Sequence, residues 1–254
     1  MVELLYDGTF AGFLTAVFDC YAQKIEVSNI YRDTAFQNNL FADHILIETS
    51  EPKSQRVWTA IQQKLHPRNH ELPILTFLSE AEGIEMRLFR FMQRAFASET
   101  RLDTNYGDPD ILALKKIERQ VLQEAMRILQ FVRFQQTADK IYFAPIDPQY
   151  DVLPYAIKHF KERFSDQQWL IYDTKRDYGF FYNLRDISEV TLNDKTFAIH
   201  NGKLDQNLLQ EDEVFYQTLW KSYFKHINIE ERKNQKLQRQ HMPRRYWKFL
   251  TEKN

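Results

Sequence analysis

Residues 169–192 read W-L-I-Y-D-T-K-R-D-Y-G-F-F-Y-N-L-R-D-I-S-E-V-T-L. Three aromatic and β-branched runs, at 169–173, 179–183 and 189–192, are separated by polar junctions at 175–177 and 185–186. Such residues suit a pleated, half-buried surface, and short polar junctions between them suit hairpins. Just upstream, 140–146 is again aromatic and β-rich, and 153–164 has helical amphipathicity with Pro154 in its first turn. The order β-α-β-β-β predicts a small, mainly antiparallel sheet with a helix on one face. Downstream, 212–224 reads as an amphipathic helix carrying Val214, Phe215, Leu219, Trp220 and Phe224.

The N-terminal half reads as helical with two short strands. Val2–Tyr6 is an apolar run closed by Asp7-Gly8, a strand and its turn. Phe10, Phe13, Leu14, Val17, Phe18 and Tyr21 then recur at helical spacing, with Asp7 or Thr9 placed to cap. Residues 44–48 predict the second strand. Ser50 and Pro52 open a helix with the stripe Val57, Trp58, Ile61 and Leu65, stopped by Pro67, and 72–78 predicts a further short helix. Ser79-Glu80-Ala81-Glu82 fits a capping box before the stripe Ile84, Leu88, Phe91, Met92, Ala95 and Phe96. Asp108-Pro109 opens a long helix to about residue 134 along Ile111, Leu114, Ile117, Val121, Ala125, Ile128 and Val132. Residues 98–107 are the most loop-like. They predict an α-rich subdomain over 1–100 and an α+β subdomain over 101–254, with one compact domain as the alternative. The fold class is α+β.

Composition removes several kinds of chemistry. Hydrophobic residues make up 43 % of the chain and aromatics 15 %, enough for a core and too many for disorder. Six glycines leave little material for glycine-rich phosphate loops. The single cysteine, Cys20, excludes an internal disulfide, a zinc ribbon or a cysteine-held iron–sulfur cluster within one subunit. With no basic leader and no apolar run near the ~20 residues of a membrane span, a cytoplasmic protein without membrane attachment is expected.

Few residues carry the marks of catalysis. His66 and His70 have helical ligand spacing, but Pro67 breaks the helix such a metal site needs. H-E-x-x-H and G-x-S-x-G are absent. Asp147, Asp151 and Asp173 sit at strand and turn ends. Clustered they would suit Mg²⁺, but turn chemistry explains them without an ion. No metal and no cofactor is expected. His241, lying among arginines, is a weak acid–base candidate because its charge switches near neutral pH.

Two basic features stand out. Arg87, Arg90 and Arg94 share one helix face, for which a solvated surface is the default and a phosphate-facing stripe the sharper reading. The larger feature is the C-terminus. From residue 230 to the end, eight Lys+Arg stand against three Asp+Glu, so the tail carries +5 while residues 1–229 carry −6. Arg232, Lys233, Lys236, Arg239, Gln240, His241, Arg244, Arg245, Tyr246, Trp247 and Lys248 fall in this tail. Guanidinium forks with aromatic rings are the equipment for phosphate contact and base stacking. A solvated helix surface and an acidic protein partner are the other readings.

Residues 6–21 (Y-D-G-T-F-A-G-F-L-T-A-V-F-D-C-Y), 127–134 (R-I-L-Q-F-V-R-F), 142–154 (Y-F-A-P-I-D-P-Q-Y-D-V-L-P), 159–173 (H-F-K-E-R-F-S-D-Q-Q-W-L-I-Y-D) and 220–252 (W-K-S-Y-F-K-H-I-N-I-E-E-R-K-N-Q-K-L-Q-R-Q-H-M-P-R-R-Y-W-K-F-L-T-E) together resemble a bacterial family named for DNA repair or DNA metabolism, the domain-of-unknown-function family numbered 4130. The resemblance implies a radical-SAM protein as companion and, in some members, fusion to a uracil-DNA-glycosylase-type domain. It brings no catalytic residues. The expectation is an accessory, stand-alone subunit of DNA repair or modification. It would bind DNA, a radical-SAM enzyme, or both through the tail with Arg127 and Arg133. An enzyme acting on nucleic acid through His241 and nearby arginines is the alternative, and a pure protein-interaction subunit the second.

Overall fold

A computed structural model of the chain describes residues 2–33, 43–192, 199–200, 203–226 and 234–253. The fold is α+β and divides into two compact units, Met1–Val121 and Leu122–Asn254.

In the first unit, β1 (Val2–Tyr6) is followed by α1 (Phe10–Gln23), β2 (Val27–Arg32), β3 (His44–Leu46), α2 (Glu51–Lys64), α3 (Leu72–Phe77), α4 (Ile84–Ala97) and the start of α5 (Pro109–Phe131). β1 is central, with β2 and β3 parallel to it on either side. β2 is additional to the two strands expected. Its V-S-N-I-Y-R sequence buries only Ile30 fully, so it lacks the apolar alternation that marks a strand. The Thr9 hydroxyl caps α1 by accepting the Gly12 N–H at 2.9 Å, while Asp7 braces Thr9 and Thr49. Ser50 occupies the N-cap of α2 without a side-chain bond. The capping box at Ser79–Glu82 does not form. α4 starts from Gly83 in the left-handed region, and Ser79 Oγ instead donates to the Thr76 carbonyl and accepts the Ala81 N–H. The serine thus serves the end of α3. The predicted stripes of α1, α2 and α4 meet in one core containing Leu4, Phe13, Val17, Ile61, Leu88 and Met92. Each such side chain contributes roughly 1.5–3 kcal/mol when removed from water.

The second unit holds the end of α5, then β4 (Gln135–Gln136), β5 (Tyr142–Ile146), α6 (Leu153–Arg163), β6 (Trp169–Asp173), β7 (Tyr178–Tyr182), β8 (Ile187–Val190), the short pair β9 (Ile199–His200) and β10 (Lys203–Leu204), α7 (Glu213–His226) and α8 (Gln235–His241). The main sheet runs β4-β5-β6-β7-β8. β6, β7 and β8 form the expected antiparallel hairpins, with Ile171 opposite Phe180 and Phe181 opposite Ser188. β5 and β6 are parallel, Phe143 facing Leu170, because α6 crosses over between them.

One glycine is required by the sheet. A Cβ at Gly179 would lie 2.5 Å from the Ile171 carbonyl oxygen and 2.8 Å from the Tyr172 ring. Gly179→Ala is therefore expected to lower stability by about 1–3 kcal/mol through overpacking, read as a lower urea midpoint with unchanged slope. No described helix is long and apolar enough to cross a membrane.

Candidate nucleic-acid interface

The tail consists of two parts with opposite burial. α8 is started by Asn234, whose side chain accepts the Leu237 N–H at 3.0 Å, and none of its residues is buried. Pro243 then leads into a 3-10 helix, Arg244–Phe249, and a second, single-turn 3-10 helix, Thr251–Lys253. In this second part Tyr246, Phe249 and Leu250 are buried, and the Tyr246 ring packs 5.4 Å from that of Phe131 on α5. Alternation of apolar and basic residues in R-R-Y-W-K-F-L explains the split: apolar side chains dock, and the cations are left to find acceptors or solvent.

Two buried carboxylates fasten the docked part, Glu124 from α5 and Glu252 from the tail itself. Glu124, on α5 and wholly buried, accepts a close charge-assisted bond from Arg245, a 3.3 Å bond from Arg127 Nη1 and the Gln149 backbone N–H at 2.8 Å. The Tyr246 hydroxyl is buried beside it. It lacks a well-directed hydrogen bond, yet it is close enough to influence the carboxylate. Glu252 accepts Arg133 Nη2 at 2.9 Å and Trp220 Nε1, from α7, at 3.0 Å. A third pair, Lys248 to Asp147 at 2.6 Å, is more exposed. The Arg245 guanidinium also stands 4.9 Å over the Tyr246 ring. Arg244 and Lys253 stand 5.8 and 5.0 Å over the half-buried Trp247 ring.

Burial alone pushes the Glu124 carboxyl up. Tyr246, the Gln149 amide and Arg245 outweigh it and hold the pKa below the usual glutamate value. Glu252 follows the same pattern, with burial opposed chiefly by Arg133. A carboxylate lowered on folding stabilises the native state above its unfolded pKa, ~4.3 for glutamate, and that stabilisation is lost as pH falls through the folded value. Docking of 244–253 is thus expected to be pH-independent from neutrality to about pH 5 and to weaken below about pH 4. Hydrogen exchange across pH measures it, and Glu124→Gln should abolish Glu124's share.

The structure therefore sorts the expected binding residues. Arg127, Arg245 and Tyr246 come together at Glu124, and Arg133 is held at Glu252. Arg239, Gln240 and His241 lie on exposed α8, and Arg244 is exposed beside Trp247. His241 has no hydrogen-bond or ionic partner among the described residues. Arg232 and Lys233 lie outside the described residues. The three aspartates take separate partners: Asp147 holds Lys248, Asp151 receives the Tyr178 hydroxyl, and Asp173 closes a turn on the Lys175 and Arg176 amides and the Arg176 guanidinium. His66 Nδ1 accepts the Arg68 N–H. Among the described residues no three His, Cys, Asp or Glu side chains are placed to hold a metal ion.

Glu124 and Glu252 were not among the expected site residues. Glu124 did carry a signal. It lies three residues after Val121 and four before Ile128, an acid on the buried stripe of α5, with Arg127 three residues on. Glu252 carried none, since it is an ordinary acid near the end of a basic run.

A family model, the domain of unknown function DUF4130, matches residues 82–252. The chain belongs to the DUF4130 family. The matched span contains α5, the five-stranded sheet and the docked tail, with both buried carboxylates. No curated protein matches the chain. Among solved structures it is similar to the pGpG-specific phosphodiesterase PggH from Vibrio cholerae at 10 % identity, covering 89 % of this chain and 98 % of that one with a TM-score of 0.34. A likeness that distant establishes neither fold nor function.

Proposed function

We propose that this DUF4130 protein is an accessory subunit of DNA repair or modification that engages nucleic-acid phosphate through the outward half of its tail. The observation that carries this reading is the division of labour among the cations of the tail and those that meet it. Arg245 is committed to buried Glu124, and Arg133 to Glu252, so both work as fasteners. Lys236, Arg239 and His241 stay exposed on α8, and Arg244 stays exposed over the Trp247 ring. Cations aligned near an aromatic ring suit phosphate contact with base stacking. Binding to single-stranded and duplex DNA is expected to weaken steeply as salt rises, because neutralising phosphates releases counterions. Affinity measured from about 50 to 200 mM salt tests it. Salt-insensitive binding, or none at low salt, would sink the proposal.

A protein-interaction subunit is the second reading, and α7 favours it. No residue of α7 is buried, and Phe215, Tyr216, Trp220 and Tyr223 are exposed. Clustered aromatic exposure of this kind marks interaction surfaces. The family resemblance offers a radical-SAM enzyme as the partner and a uracil-DNA-glycosylase-type protein as a further candidate. Co-purification that survives nuclease treatment but is lost in Phe215→Ser plus Tyr223→Ser would support this reading over DNA bridging.

A further inference from the structure

The basic face of α4 forms a groove in the first unit, separate from the tail. Arg87, Arg90 and Arg94 line a cavity of about 270 Å³ with Glu82, Met86, Phe91 and Asp110. That volume holds several waters at about 30 Å³ each, or one phosphate group with its hydration. The three arginines are not equivalent. Arg94 is held by Asp108 and Asp110, the latter at 3.1 Å, which fixes one wall and neutralises the aspartate on the rim. Arg87 and Arg90 have no side-chain hydrogen bond or ion pair among the described residues. They sit three positions apart on one helix, where like charges repel and the bare protein gains nothing from the arrangement. Other cations of the unit do reach acids: Arg32 meets Glu80 and Glu85, and Lys53 meets Asp19. Met86 and buried Phe91 supply an apolar floor that lowers the local polarisability and strengthens a charge-assisted bond at the groove.

We infer that the Arg87–Arg90–Arg94 groove is a phosphate-binding site, Arg87 and Arg90 supplying the guanidinium forks and Arg94 the fixed wall. The phosphate comes either from a nucleic-acid strand or from free phosphate. The site is independent of the tail reading, because its residues all lie in Met1–Val121. Calorimetric titration of the full chain with inorganic phosphate and, separately, with a short oligothymidylate tests it. Arg87→Gln plus Arg90→Gln is expected to weaken phosphate binding at least tenfold with an unchanged melting curve, since both side chains are exposed. Arg87→Lys plus Arg90→Lys should recover only part, because an ammonium cannot bind bidentately. Weakening in the inorganic arm alone identifies free phosphate; weakening in both arms identifies strand phosphate. The tail variant Arg239→Ala plus Arg244→Ala is expected to lower the oligonucleotide arm, so the two sites fail separately. A glutamine double variant that matches the wild type in both arms would overturn the inference.

Discussion

Glu124→Ala is expected to cost about 2–4 kcal/mol and to free the C-terminal segment. Breaking a fully buried ion pair typically costs about 3–5 kcal/mol, because the abandoned partner is left desolvated. Here the Arg127 and Arg245 side chains are 27 % and 35 % exposed, so water recovers part of the loss and the estimate is discounted. The Gln149 amide and the buried Tyr246 hydroxyl lose their neighbour as well. The readouts are a chemical denaturation midpoint and tryptic cleavage after Arg244 and Arg245, which should accelerate. Glu124→Gln separates shape from charge: it keeps an acceptor for Gln149, and only the ionic share should disappear. Destabilisation without faster cleavage in the tail would mean that Glu124 serves α5 and not the docking of the tail.

Arg239→Ala plus Arg244→Ala is expected to leave stability within about 0.5 kcal/mol, as exposed positions usually do, while weakening DNA binding. Each lost phosphate contact lowers the slope of log affinity against log salt by about 0.9. Two contacts lower it by about 1.8, so the affinity gap between variant and wild type should narrow about tenfold from 50 to 200 mM salt. Arg245→Ala is the contrasting variant, because its charge already belongs to Glu124. It should behave as a stability variant with the salt slope little changed. If Arg245→Ala alters the slope as strongly as the exposed pair, the division into fasteners and contacts fails.

Much of the fold could be read from residue order. The helical stripes of α1, α2, α4 and α5 were visible because their apolar residues repeat at 3.6, and the β6–β8 hairpins because aromatic runs alternate with polar junctions. The rest was set by partners distant in sequence. β2 is stabilised by pairing with β1 rather than by its own composition. The parallel pairing of β5 with β6 follows from the crossover of α6 and not from either strand. Ser79 had the spacing of a capping box, but the turn after α3 used it first. At the candidate interface the tail's basic character was plain, while its inner wiring was hidden. Charge counting treats Arg133, Arg239, Arg244 and Arg245 alike. Only the fold brings Glu124 and Glu252 to two of them.

The most direct measurement is hydrogen exchange of the full chain with and without a short single-stranded oligodeoxynucleotide at low salt. The account predicts slow exchange in 244–253 before ligand is added, from docking on Glu124 and Arg133, and new protection over 235–245 when it binds, lost again at high salt. Fast exchange in 244–253 without ligand, or protection that leaves the tail untouched, would contradict it.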